Sequence, residues 1–193
     1  MTAIINYKAG NAPSVMHAVR HIGLTAEFAQ SANDLANATH IILPGVGSAR
    51  ATMESLCEMG LLAALENAVL ERKVKFLGIC VGMQILFEHS QEEDTDCLGW
   101  LGGKVVKFDP TRRRVPQMGW NHVTFTDDTP DSHFYFVNSY HAVLNDAGDL
   151  WGKSDYNGEF TAAVQRGNIY GTQFHAEKSG EAGLALLRGF LSC

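Results

Sequence analysis

The sequence predicts an α/β fold: a mixed, mostly parallel central sheet flanked by helices, with antiparallel strands added in the C-terminal half. Three observations predict it. In the first half, short apolar runs alternate with stretches whose apolar residues recur at helical spacing. One stretch, Lys75 to Phe87 (KFLGICVGMQILF), passes from a buried-strand pattern to a helical one across a cysteine flanked by glycines. From Gly103 onward, short strand-like runs follow one another across turn-forming residues and end in a single helical stretch.

Taken in order, Thr2 to Tyr7 reads as the first strand and Lys8 to Asn11 as a glycine-containing turn. Asn11 suits a helix N-cap, with Pro13 in the first turn and Gly23 closing the helix after Ile22. Thr25 to Ala29 is a second strand and Asp34 to Ala36 a short helix. His40 to Leu43 is a third strand that Pro44 is expected to stop. Helices are expected over Ala49 to Met59 and Leu61 to Glu71. The stretch at Lys75 then gives a strand and, from Val81 to Phe87, a helix. Glu88 to Asp96 is acidic and rich in turn formers. Strands are expected over Gly103 to Phe108, Gly119 to Phe125, Phe134 to Tyr140, Asp149 to Ser154, Thr161 to Arg166 and Asn168 to Phe174. A closing helix covers Gly180 to Phe190. No repeat or linker divides the chain, so residues 1–193 are expected to form one domain.

Composition narrows the function classes. A formal net charge of -6 gives no broad attraction to nucleic acid, and Arg112-Arg113-Arg114 is too short for a binding stripe. No apolar run approaches the roughly 18 residues of a membrane span, and the N-terminus lacks a signal-peptide pattern. The four cysteines show no paired C-x-x-C spacing. That argues against a zinc site and for a reducing compartment, the cytoplasm.

Gly78-Ile79-Cys80-Val81-Gly82 is a G-x-C-x-G nucleophile elbow. Small neighbours let the backbone turn sharply around Cys80. Free N–H groups at the start of the following helix then face the sulfur and any oxyanion formed beside it. Taken alone, Cys80 fits a buried core thiol as well. Pro44-Gly45-Val46-Gly47-Ser48 ends a sheet strand, where ligands of α/β folds bind, though a plain tight turn would look the same. His175 and Glu177 are two apart after an apolar strand. Extended backbone would put both on one face, with Cα atoms ~7 Å apart. The carboxylate would hold one imidazole nitrogen while the other faces the thiol. The order Cys, His, Glu differs from the Ser, Asp, His order of α/β-hydrolases.

The elbow Gly78 to Gln84 and the Phe174-His175-Ala176-Glu177 pair resemble class I (triad-type) glutamine amidotransferases. Asn6 to Asn11, Pro44 to Gly47, Met118-Gly119-Trp120-Asn121, Phe136 to Tyr140 and Gln173 to Ser179 resemble, more narrowly, the glutaminase subunit of imidazole glycerol phosphate synthase, over essentially the whole chain. The resemblance implies a flavodoxin-like class I amidotransferase fold, no cofactor and L-glutamine as substrate. It implies Cys80 as nucleophile, His175 as acid and base, and Glu177 as its orienter. An oxyanion hole would be made by Val81 and the Gly45-Val46-Gly47 loop, which in that family rotates a peptide. Gly47, Gln84, Glu92, Ser139 and Tyr140 would bind glutamine. Trp120, Tyr135 and Lys178 would face a (β/α)₈-barrel cyclase subunit that receives the ammonia.

The chain departs from the family pattern at Ala176, where proline is usual, at Lys8 and Ala12-Pro13 in the first loop, and at Asn138, often histidine. None removes a triad member. Three alternatives stand beside this reading. One is the glutaminase subunit of anthranilate or aminodeoxychorismate synthesis, against which Met118 to Asn121 and Gly45-Val46-Gly47 speak. Another is a non-catalytic protein of the same architecture with a reactive elbow cysteine. The third is a metal protein using His17 and His21, spaced i, i+4, but the acidic residue that a zinc-protease motif carries between its histidines is missing.

Overall fold

The computed structural model describes residues 1–7 and 11–192, so the expected turn at Lys8 to Gly10 lies outside the described residues. The first half builds the parallel part of the sheet. Strand β1, Thr2–Ile5, is buried along its length and pairs in parallel with β2, Ala26–Ala29, and β3, His40–Gly45. Helix α1, Ala12–His21, buries Val15, Met16, Ala18 and Val19 against the core and leaves His17 and His21 exposed. No group of three or more metal-ligating side chains is found among the described residues. Strand β3 does not stop at Pro44, as expected, but runs through Gly45. Its ladder to β1 ends at Ile42, so a residue without an N–H is accommodated beyond that point.

Helix α2, Ala49–Glu58, starts at Ser48, whose Oγ accepts the Ala51 N–H at 3.3 Å. Helix α3, Leu62–Glu66, continues as a π-helical turn over Asn67–Glu71. There the Val69 carbonyl is taken by Asn168 Nδ2 at 2.9 Å. Strand β4, Lys75–Cys80, leads into α4, Val81–Gln84. This helix is shorter than the expected Val81 to Phe87 because the carbonyls of Ile85, Leu86 and Phe87 accept from Leu98, Leu101 and Gly99 at 2.8–2.9 Å. Those carbonyls hold a loop instead of propagating the helix.

The acidic segment forms a small hairpin, β5 (His89–Ser90) and β6 (Thr95–Asp96). Then come β7 (Gly103–Lys107), β8 (Gln117–Phe125), β9 (Ser132–Asn138), β10 (Tyr140–Leu144), β11 (Leu150–Asp155), β12 (Glu159–Arg166) and β13 (Ile169–Thr172). Strand β10 was not expected, because Ser139 alone separates it from β9. Helix α5, Gly180–Ser192, closes the chain and buries Leu186, Leu187 and Phe190. Inside this half Phe174 stacks on Phe134 with ring centres 4.1 Å apart and meets Phe136 at 5.7 Å.

The main sheet runs in the order β2-β1-β3-β4-β13-β12-β10-β7-β5-β6, with β11 joining β12 to β8 and β8 joining β9. The order places β4 between β3 and β13, parallel to both. The carboxyl ends of these three strands lie side by side, with Gly45 opposite Cys80 and Thr172 opposite Ile79. The Gly45 loop, the cysteine and the His175 segment are therefore brought to one edge by strand order alone. No helix among the described residues is long and apolar enough to cross a membrane.

Candidate active site

Cys80 sits at the joint of β4 and α4 with φ 56 and ψ -108. A non-glycine residue there costs about 1–3 kcal/mol, so the surroundings must hold it. They do so by backbone packing. A Cβ on Gly82 would collide with the Leu43 carbonyl, and one on Gly78 would collide with the Gly82 carbonyl. The two glycines let the turn press against β3, and the side chain of Cys80, 5% exposed, is aimed into the site. Its sulfur lies 3.9 Å from the Val137 carbonyl and 3.7 Å from Gln173 Nε2.

His175 follows β13 and is 3% exposed. Its N–H donates to the Tyr135 carbonyl at 2.9 Å, and its carbonyl accepts from Ser179 Oγ at 2.6 Å. Residues 176–178 form a 3-10 turn, not the extended backbone expected, closed by Lys178 N–H on the His175 carbonyl at 3.0 Å. The turn curls Glu177 back, so its Oε1 meets His175 Nδ1 at 2.9 Å. A carboxylate only accepts, so Nδ1 carries the proton and Nε2 is left for the sulfur. Burial draws the His175 pKa down, but hydrogen bonds to Cys80 and Glu177 outweigh it and push it up to about 10.

Asn11 stands at the N-cap position of α1, but its side chain makes no cap bond. It accepts from Ser14 Oγ at 2.7 Å and donates from Nδ2 to Glu177 Oε1 at 3.0 Å. Asn11 thus belongs to the site and not to a helix cap. Glu177 Oε2 is buried and has no partner.

A cavity of about 320 Å³ opens over Cys80. That is near the lower end of small-molecule sites, roughly 300–1,000 Å³. Val46, Gly47, Val81, Gln84, Glu92, Ser139, Tyr140, His175 and Lys178 all line it; Gly45 and Glu177 stand behind. Gln84 is 3% exposed, not a helix-surface residue, and its Nε2 bonds the Tyr140 carbonyl at 3.3 Å and Gln173 Oε1 at 3.1 Å. Burial raises the pKa of Glu92, whose Oε2 accepts the Ala49 N–H at the start of α2 at 3.0 Å. Asn138, also in the wall, donates to the Tyr140 carbonyl at 3.0 Å. Neither Gln173 nor Asn138 was expected at the site. Period-two spacing, which sets Gln173 on the same side as His175, was the available signal. A larger cavity of about 640 Å³ lies under α5 against Trp151, Tyr170 and Phe190, but none of the expected site residues lines it.

Trp120 is 57% exposed and lies opposite Tyr135 in the β8–β9 ladder, their rings 6.0 Å apart edge to face. Core packing is therefore not the role of Trp120. Tyr135 is half-buried, Lys178 is exposed, and Met118, 66% exposed, extends the patch.

The model of the family described as glutamine amidotransferase class-I matches residues 3–192. The chain is 39% identical to "Imidazole glycerol phosphate synthase subunit HisH" of Leptospira interrogans, over all of both chains. It is 42% identical to the protein of the same name from a Geobacillus species, over 100% of this chain and 96% of the other. A crystal structure of a glutamine amidotransferase superimposes with a TM-score of 0.82 at 18% identity, covering 98% of this chain and 97% of that one, a likeness of fold. By sequence over nearly its full length, the chain belongs to the class-I glutamine amidotransferase family.

Proposed function

We propose that this chain is the glutaminase subunit of an imidazole glycerol phosphate synthase in histidine biosynthesis. It splits glutamine into glutamate and ammonia and hands the ammonia to a (β/α)₈-barrel cyclase subunit, for imidazole glycerol phosphate and aminoimidazole carboxamide ribotide. The observation that carries the reading is the line from the Cys80 sulfur through His175 to Glu177, with His175 Nδ1 2.9 Å from the carboxylate.

The chemistry follows from that line. His175 takes the thiol proton, and the sulfur attacks the side-chain amide carbon of glutamine. The oxyanion faces the Val81 N–H at the start of α4. His175 gives its proton to the departing nitrogen, leaving a γ-glutamyl thioester and ammonia. Water then attacks the thioester, His175 takes its proton, and the sulfur leaves with glutamate free. Glu177 holds His175 in the Nδ1–H form throughout. Glu92 meets the substrate ammonium, with Gly47, Gln84, Ser139 and Tyr140 around the rest of the glutamine.

Val46 supports a gated hole. Its backbone N–H is turned to the Tyr7 hydroxyl, whose pKa burial pushes up to about 12. The Tyr7 hydroxyl also lies 3.4 Å from Thr52 Oγ1. A second oxyanion donor from the Gly45-Val46-Gly47 loop is available only when that peptide turns toward Cys80. Trp120, Tyr135 and Lys178 form the docking patch through which the cyclase favours the turned state. Free ammonia in neutral water would be protonated and lose its nucleophilic lone pair, so a closed path into a partner suits this product.

The test is Cys80→Ala. Glutamine-dependent synthesis by the complex is lost while synthesis from added ammonium salt persists. Loss of both, with the complex intact, overturns a role confined to ammonia supply.

A further inference from the structure

Gln173 is fully buried, and its backbone N–H is tied to the Ala162 carbonyl on β12 at 2.8 Å. Its side chain lies between the nucleophile and the substrate wall. Nε2 is 3.7 Å from the Cys80 sulfur, and Oε1 accepts from Gln84 Nε2 at 3.1 Å. Gln84 Nε2 in turn donates to the Tyr140 carbonyl at 3.3 Å, which also accepts from Asn138 at 3.0 Å.

The chain of bonds fixes which end of each amide faces which neighbour. A backbone carbonyl only accepts, so the end of Gln84 toward Tyr140 is its NH₂. That same NH₂ faces Gln173, which must present its oxygen there. The NH₂ of Gln173 is then left for the sulfur. The reverse orientation would set NH₂ against NH₂, losing the bond to Gln84, and would leave the sulfur without an N–H donor.

We propose that Gln173 is a further catalytic residue of the glutaminase, an amide donor that stabilises the Cys80 sulfur as a thiolate. This rests on the function proposed above. An amide N–H gives up no proton at accessible pH, so it stabilises the anion without competing with His175 for the thiol proton. In the buried site such a charge-assisted bond is stronger than in water. It acts when sulfur attacks the amide and again when sulfur leaves the thioester, the two moments when sulfur carries charge. The relay through Gln84 keeps the donor aimed and ties it to the wall that receives glutamine.

Alkylation of Cys80 by iodoacetamide, followed by mass spectrometry of its peptide, reads the sulfur directly, apart from the exposed Cys57. Gln173→Met keeps the bulk and removes the donor; Gln173→Glu puts an oxygen in its place. The expected result at pH 7 is a rate about tenfold lower for Gln173→Met and lower still for Gln173→Glu, since alkylation follows the thiolate. Both rates converge on wild type as the pH is raised. Gln84→Met, which frees the Gln173 amide to turn, gives a smaller loss at pH 7 and keeps the test open should the Gln173 variants fail to fold. An unchanged rate, or a loss of the same factor at every pH, overturns the assignment, because a packing defect does not track ionisation. Wild-type glutamate release with the cyclase is measured alongside. Its absence would sink the glutaminase reading while leaving the alkylation result to stand by itself.

Discussion

Glu177→Gln separates the charge of the orienting residue from its geometry. Glu177 Oε1 accepts two N–H bonds, from His175 Nδ1 at 2.9 Å and Asn11 Nδ2 at 3.0 Å, while Oε2 has no partner. A glutamine has one oxygen to offer. Placed at the Oε1 position, that oxygen keeps both bonds. The opposite orientation would face an NH₂ with two donors, so the first prevails. His175 then keeps its Nδ1–H form and only the charge is lost. A hydrogen bond to a charged group contributes about 1.5–3 kcal/mol and a neutral one about 0.5–1.5, a difference of about 1–1.5 kcal/mol. At about 1.4 kcal/mol per decade this is a roughly five- to twelvefold fall in kcat for glutamate release by the complex. In an Asn11→Ala background nothing holds the amide orientation. Its NH₂ can turn to His175, and an imidazole held in the wrong tautomer costs up to about 10⁴ in a comparable triad. Glu177→Gln there should cost more than 100-fold. The assay is glutamate release at saturating glutamine with the cyclase and its ligand bound. Equal factors in the two backgrounds, or a single variant as inactive as Cys80→Ala, would refute the reasoning.

Tyr7→Phe removes the hydroxyl that the Val46 N–H faces. One hydrogen bond of about 0.5–1.5 kcal/mol predicts a two- to twelvefold rise in glutaminase activity of the isolated chain, and an unchanged basal rate contradicts the gate. Gly82→Ala forces a Cβ into the Leu43 carbonyl, backbone against backbone. A cost of about 3 kcal/mol or more lowers the melting temperature by roughly 6–12 °C for a chain of this size, and a melt within 2 °C of wild type would show that the elbow relaxes freely. His175 has its folded pKa raised, to about 10, above the ordinary value of 6.5. The stability it contributes is therefore complete below about pH 6.5 and lost as pH rises through 10. Wild type should lose its stability advantage over His175→Gln across that interval in denaturant titrations, and a constant difference would contradict the protonated pairing.

What the sequence made legible was local. The elbow shows in spacing because two glycines must bracket a strained residue, and Cys80 does occupy positive φ. The parallel half shows in the alternation of runs, and β3 departs from it only at Pro44, where the outcome depends on whether β1 still lies alongside. Spacing shows the His175–Glu177 pair, but the backbone between them is a 3-10 turn where the spacing predicts extended chain. A two-residue separation fits a 3-10 turn as well, and tertiary bonds from Ser179 and Tyr135 decide it. Contacts between distant parts of the chain left no such mark. Asn11 reaches Glu177 across 166 positions and Gln173 reaches Cys80 across 93. An asparagine before a helix looks like a cap until its partner is known, and a glutamine inside a strand end looks like surface until both faces are covered.

The same bonds suggest how an event at the exposed patch would reach the buried line. Tyr135 lies in β9 with its ring against Trp120. Its carbonyl accepts the His175 N–H at 2.9 Å, and its N–H donates to Ser179 Oγ at 3.0 Å, the hydroxyl that itself bonds the His175 carbonyl at 2.6 Å. Both backbone groups of one residue thus hold the turn that carries His175 and Glu177. A cyclase seated on Trp120 and Tyr135 would press on this strand segment, which cannot shift without moving the imidazole. Lys178, the exposed end of the turn, also lines the cavity over Cys80. Coupling in the proposed complex therefore needs no long path: one strand residue, Tyr135, separates the proposed docking patch from His175.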